Sequence, residues 1–213
     1  MKINANPFSL LFICSMFFLA AGSESPAQDL SLKGRSALEV NLGLWGGAKV
    51  SNTIGSTGIQ SEAGTSGFSG SFGYSYWLKE NLSLTLTAGV QSVQARTTVS
   101  VSNVAQYSSS VVPLLLGLRY YVADSGDNIR PFLSAAIGTY IGSEAAATVL
   151  SQKAHVETAA GGRIGGGIDF FLGSHFMLGV GVNYDFMQDF METIGARKNY
   201  SGAEFALGAG FIF

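Results

Sequence analysis

The stretch YSGAEFALGAGFIF, Tyr200 to Phe213, decides how the whole chain is read. Its side chains separate with a period of two: Phe205, Leu207, Ala209, Phe211 and Phe213 fall on one face, Glu204, Ala206, Gly208, Gly210 and Ile212 on the other. Successive side chains of a strand point to opposite faces, so this alternation predicts a strand. The greasy face continues to the final residue, a position where chains are ordinarily polar and frayed. Whether that aromatic ending means anything depends on the rest of the chain.

Working outward, seven further segments repeat the alternation. ALEVNLGLW sets Leu38, Val40, Leu42 and Leu44 on one face, and FSGSFGYSYW does so with Phe68, Phe72, Tyr74 and Tyr76. LSLTLTAGV, VVPLLLGLRYY, RPFLSAAIGTYI, GGRIGGGIDF and FMLGVGVNYDF follow the same rule. The connections alternate in length. Long polar ones are expected at about 51–67, 96–106, 142–157 and 188–199, short ones at 78–81, 123–128 and 172–175. Strands of this length with alternating hydrophobicity and unequal turns predict an eight-stranded antiparallel up-and-down transmembrane β-barrel. Long loops would then face outside and short turns the periplasm.

Bulk composition agrees. Of 213 residues 47% are hydrophobic and only 12% charged, about half the charged fraction of an ordinary soluble domain. A net charge of −2 offers no basic surface for nucleic acid. Near the start, Lys2 precedes the apolar run FSLLFICSMFFLAA (Phe8 to Ala21) and then GSESPA, the layout of a secretory signal peptide. Residues 1–27 are therefore expected to be removed, with cleavage after Gly22 as a second choice, leaving 28–213 as one barrel domain. The single cysteine, Cys14, would leave with the signal, which excludes disulfide and zinc–thiolate chemistry from the mature chain.

The charges obey the same period. Glu39, Lys49, Arg119, Arg130, Arg163, Asp169, Asp185 and Glu204 all sit on the parity opposite the greasy face. An Arg or Lys facing lipid at the bilayer midplane costs roughly 2–4 kcal/mol, so a membrane barrel turns its charges inward. Followed up and down the strands, Glu39, Arg119, Arg130 and Asp169 gather near the periplasmic end. Lys49, Arg163, Asp185 and Glu204 gather toward the outer end. Eight strands leave an interior just wide enough for side chains, and buried charges are normally paired, so a plug of paired charges is expected. A selective pore or gate is the sharper reading, and it requires a wet interior. Tyr74, Tyr76, Tyr120, Tyr184 and Phe186 cluster at segment ends, where interfacial aromatic girdles belong.

With these pieces in place the chain resembles the small outer-membrane β-barrel proteins of the OmpW and OmpX kind. The resemblance is carried by VPLLLGLRYYV followed by IRPFLSAAIG, by GGRIGGGIDFFLGSHFMLGVGVNYDF, and by the ending GAGFIF. It implies location in the outer membrane of a Gram-negative bacterium, contact with outer-membrane lipid, and passage through the barrel assembly machinery. In that family the last strand is the insertion signal, a role the resemblance gives here to Phe205, Leu207, Phe211 and Phe213. Passage of small hydrophobic molecules is the transport activity it suggests.

Other chemistry finds little support. The glycine-rich stretches contain no G-x-G-x-x-G opening a helix and no Gly-Lys-Ser/Thr, and strand curvature is the expected use of these glycines. Catalysis at the outer rim needs a histidine with a hydroxyl or acid partner. His175 falls in a short turn. His155 lies near Ser151 and Glu157 in an expected long loop, without the motif of a barrel enzyme, and a metal site there lacks a third ligand in the sequence. Neither catalytic nor cofactor-binding residues are expected. The loops remain candidates for adhesion or partner binding, above all SNTIGSTGIQSEAGTSG and the small apolar patch Ala145 to Leu150.

Overall fold

The computed structural model describes residues 31–47, 50–52, 61–63, 66–93, 106–122, 128–148, 151–195 and 197–213. Among the described residues ten strands form: β1 (Ser36–Gly47), β2 (Val50–Asn52), β3 (Ser61–Ala63), β4 (Ser66–Lys79), β5 (Leu82–Val93), β6 (Gln106–Tyr121), β7 (Ile129–Thr148), β8 (Ser151–Leu172), β9 (Phe176–Met187) and β10 (Gly202–Ile212). Eight of them close into a barrel in the order β1-β10-β9-β8-β7-β6-β5-β4, while β2 and β3 form a separate small hairpin. Closure joins the first strand to the last in antiparallel register, with Leu38 opposite Phe211 and Leu42 opposite Leu207. Ser36 and Phe213 exchange backbone hydrogen bonds of 2.9 and 2.8 Å, so pairing continues to the end of β10. Closure of this kind leaves no first or last strand unpaired in the barrel wall.

The period of two sorts the side chains as the sequence implies. Phe68, Ile137 and Leu42 point outward and are 73%, 71% and 68% exposed, whereas Asp185 and Arg130 point inward and are fully buried. An apolar outside around a polar inside suits hydrocarbon and inverts the arrangement of a soluble barrel. Tyr74, Tyr76, Tyr120, Tyr184 and Phe186 all lie on the outward face.

One expected loop is strand. β7 and β8 stay paired from Ile129–Phe170 to Thr148–Ser151, so 142–148 and 151–157 form a ribbon projecting from the barrel. Its small and polar residues carry no greasy alternation, because a ribbon beyond the apolar band has no lipid face to satisfy. The Ala145–Leu150 patch belongs in part to β7, with 149–150 outside the described residues. Most of the 51–67 and 96–106 connections also lie outside them.

The connection from β9 to β10 folds back over the barrel mouth. Phe190 and Ile194 are buried, and Gln188 N donates to Ala160 O at 2.9 Å. Gly142 makes the seat: a Cβ there would come within 2.8 Å of Phe190 Cζ and 2.9 Å of Ile194 Cγ1. Gly195 turns the chain at φ 64°, and its N–H donates to Glu144 Oε2 at 2.7 Å.

The lumen as candidate functional site

Inward-facing side chains stack in layers along the barrel axis. At the short-turn end Leu32, Trp77, Tyr121, Phe171, Met177 and Ile212 form an apolar floor. Leu32 reaches it from the segment before β1, held by Glu80 in the β4–β5 turn. Glu80 accepts from Ser31 Oγ at 2.7 Å, from Leu32 N at 2.8 Å and from Lys33 N at 3.3 Å. Partial burial pushes the Glu80 carboxyl up, but these three hydrogen bonds and the charge of Arg130 outweigh it and leave the pKa lowered.

Above the floor Arg119 spans the lumen. Its Nη2 lies 3.0 Å from Glu39 Oε2 on β1 and its Nη1 3.2 Å from Asp169 Oδ2 on β8. Tyr121 O–H donates to the same Asp169 oxygen at 2.8 Å, and Ser75 O–H donates to Glu39 Oε1. The guanidinium also rests over the Phe132 ring, 4.6 Å from its centroid. Arg130, directly opposite Asp169 in register, stacks over Phe171 at 4.9 Å. Burial of Arg119, Glu39 and Asp169 is tolerable because these three charges are paired with one another and hydrogen-bonded.

A second layer lies toward the other end, with Asp185 at its hub. Arg163 Nε and Nη2 donate to its two oxygens at 2.7 and 2.9 Å. Tyr140 O–H donates to Oδ1 at 2.7 Å and Gln91 Nε2 to Oδ2 at 2.8 Å. Arg163 Nη1 reaches Glu204 Oε2 at 3.0 Å. Trp45, Leu115, Tyr140, Phe190, Ile194 and Tyr200 then close the mouth as a second apolar layer. Between the charge layers sits a cavity of ≈ 90 Å³ bordered by Asn41, Ser71, Thr87, Ser134 and Asn183. Its lining mixes these polar groups with apolar ones such as Leu115, Phe132 and Val180, and it is large enough to hold water.

Glycines make room for these groups. A Cβ on Gly165 would lie 2.1 Å from Asn183 Oδ1, and one on Gly208 would lie 2.2 Å from Asn41 Oδ1. The expected role in curvature is therefore joined by a steric one: polar side chains occupy the space that a neighbour's Cβ would take.

The sequence-derived charges thus resolve into Glu39, Arg119 and Asp169 in one set, with Arg130 beside them, and Arg163, Asp185 and Glu204 in the other. Lys49 lies outside the described residues. Phe205, Leu207, Phe211 and Phe213 line one outward stripe of β10 and its end, and Phe211 packs edge-on against Phe176 at 5.4 Å.

A family model for the outer membrane protein beta-barrel domain matches residues 15–213. The chain belongs to that family. Solved structures of the same architecture include Neisserial surface protein A, at 13% identity over 84% of this chain and 97% of that one, TM-score 0.55. OprG from Pseudomonas aeruginosa matches at 15% identity over 86% of this chain and 97% of that one, TM-score 0.53. Ail, the attachment invasion locus protein of Yersinia pestis, matches at 12% over 85% and 99%, TM-score 0.52. Likeness at these identities speaks for the fold. A search of curated proteins found no match. Membership of that family places this barrel in the cell outer membrane.

Several partners of this family member's charges were not singled out from its sequence. Tyr121, Tyr140, Gln91 and Ser75 all share the parity of the charges, and that parity is the signal that finds them. The histidines also shift meaning. His175 is exposed in its turn beside Ser174, whose Oγ lies 2.7 Å from Nδ1. His155 is on β8 rather than in a loop, and a second acid, Glu192 from the mouth-covering connection, comes within 3.4 Å of its Nε2.

Proposed function

We propose that this family member is a sealed, non-conducting outer-membrane barrel whose role is structural or surface-facing. The observation that carries this reading is the sequence of layers: apolar floor, ion-paired layer, small cavity of mixed lining, ion-paired layer, apolar cap. A solute or ion on the axis would have to break charge pairs in the low-dielectric interior, where separated charges are expensive. The β7–β8 ribbon and the docked 188–201 connection would be the surface offered to the outside, with short turns in the periplasm.

The remaining parts of the reading follow from sequence. Residues 1–27 would direct export and be removed. The stripe Phe205, Leu207, Phe211 and Phe213 would serve the assembly machinery as insertion signal and the lipid as contact. No catalytic role is proposed for the barrel. Transport of small hydrophobic molecules would need a path through Trp45, Tyr140, Phe190 and Tyr200, whose packing favours the sealed reading.

Liposome swelling tests it. Proteoliposomes of the refolded mature protein, diluted into isosmotic solutions of a small sugar or amino acid, are expected to hold their volume. Swelling at a rate that rises with protein content would overturn the sealed reading.

A further inference from the structure

At the rim of the mouth three side chains from two segments converge. His155 and Glu157, two residues apart on β8, share one face of the ribbon. Glu192 comes from the β9–β10 connection. His155 Nε2 stands 3.2 Å from Glu157 Oε1 and 3.4 Å from Glu192 Oε2, and one donor atom from each residue lies within 4.8 Å of the others. The nitrogen is shut off from solvent, yet neither carboxylate contact has hydrogen-bond alignment.

We propose that His155, Glu157 and Glu192 bind a divalent transition-metal ion of the zinc type. The spacing supports it. Imidazole nitrogen and carboxylate oxygen bind zinc at about 2.0–2.2 Å, which at the tetrahedral angle separates two ligand atoms by about 3.4 Å. A direct hydrogen bond would instead need the donor–acceptor alignment that these two contacts lack. The donor set fits as well: one imidazole with two carboxylates suits a borderline ion and compensates its charge, leaving a fourth position to solvent.

The third ligand is held by a built support. Phe190 and Ile194, on either side of Glu192, are buried in the seat made by Gly142. Lys198 Nζ ties to Met191 O at 2.7 Å and Lys198 O accepts from Phe190 N at 2.7 Å. Glu144, the register partner of His155, is engaged by Gly195 N and anchors the same connection instead of joining the ligands. An ion here would clasp the connection to the β7–β8 ribbon.

The test is calorimetric titration of zinc chloride into the tag-free, refolded mature barrel after chelator treatment. One ion per chain is expected, with release of protons as ligands lose them. Glu192→Gln and His155→Ala should each weaken binding by about tenfold or more, while His175→Ala should leave it unchanged. Glu192 is largely exposed, so its variant keeps the barrel intact, as heat-modifiable gel migration will verify. Zinc should also slow protease cleavage within 188–199 in the native protein and not in Glu192→Gln. Absence of stoichiometric binding, or binding equal in native, His155→Ala and Glu192→Gln proteins, would overturn the site.

Discussion

Gln91 Nε2 donates to Asp185 Oδ2 at 2.8 Å, and the two residues stand on β5 and β9, four strands apart in the ring of eight. One hydrogen bond therefore joins opposite walls of the barrel. Asp185 is fully buried and also receives Arg163 and Tyr140, so both of its oxygens are satisfied by groups from three other strands. Asp185→Asn removes the charge that Arg163 faces and should cost about 3 kcal/mol. Gln91→Met, which removes one bond to a charged group at similar volume, should cost about 1.5 kcal/mol. Unfolding midpoints in denaturant, with the compact species as native reference, rank the two; a Gln91→Met loss larger than that of Asp185→Asn would contradict the hub.

Arg119 does the corresponding work in the other layer. Arg119→Ala strands Glu39 and Asp169, which are 5% and 2% exposed, and should destabilise by about 3 kcal/mol or more. Lys79, exposed at the end of β4, serves as the control; Lys79→Ala should stay within about 0.5 kcal/mol of native. Equal unfolding midpoints for the two variants would mean that the lumen pairs contribute nothing.

Glycine positions make a sharp steric contrast. A Cβ on Gly138 would sit 2.0 Å from Leu114 O, a backbone atom that cannot step aside, whereas one on Gly70 meets nothing nearer than 3.8 Å. Gly138→Ala should lower the yield of refolded compact barrel and its stability by about 1–3 kcal/mol. Gly70→Ala should refold like the native chain. Indistinguishable yields would show that β6 and β7 part more easily than their contact implies.

Acid should release the floor before it opens the barrel. The Glu80 pKa is lowered in the folded protein, so its stabilisation is complete above the ordinary value of 4.5 and is lost as pH falls below that value through the folded one. Protonation frees the amides of Leu32 and Lys33, and Leu32 leaves its buried position. Amide exchange at Leu32, corrected for intrinsic rates, is expected to accelerate below that pH in native protein. In Glu80→Gln it should already be fast at neutral pH. A Leu32 exchange rate that ignores both pH and the substitution would refute the clamp.

Much of this was legible in the chain. A period of two places Leu42 outside and Asp185 inside with no further information, because side-chain alternation in a strand is fixed by backbone geometry. Residue types alone, however, do not name partners. Arg119 could have met any inward carboxylate, and its choice of Glu39 and Asp169 depends on strand order and stagger, which periodicity leaves undetermined. The β7–β8 ribbon was hidden for another reason: beyond the apolar band, pairing persists without hydrophobic alternation. Glu192 was invisible beside His155 because 37 positions separate them and only a docked connection unites them.

The central claim is that the lumen is sealed, and conductance tests it most directly. Purified mature protein, confirmed as the compact species by its migration when unboiled, would be reconstituted in a planar bilayer at moderate salt. The layered interior is expected to stay silent under applied voltage. Discrete, reproducible current steps from the native chain would contradict it, and Arg119, Arg163 and Asp185 would then have to be read as residues lining an open path.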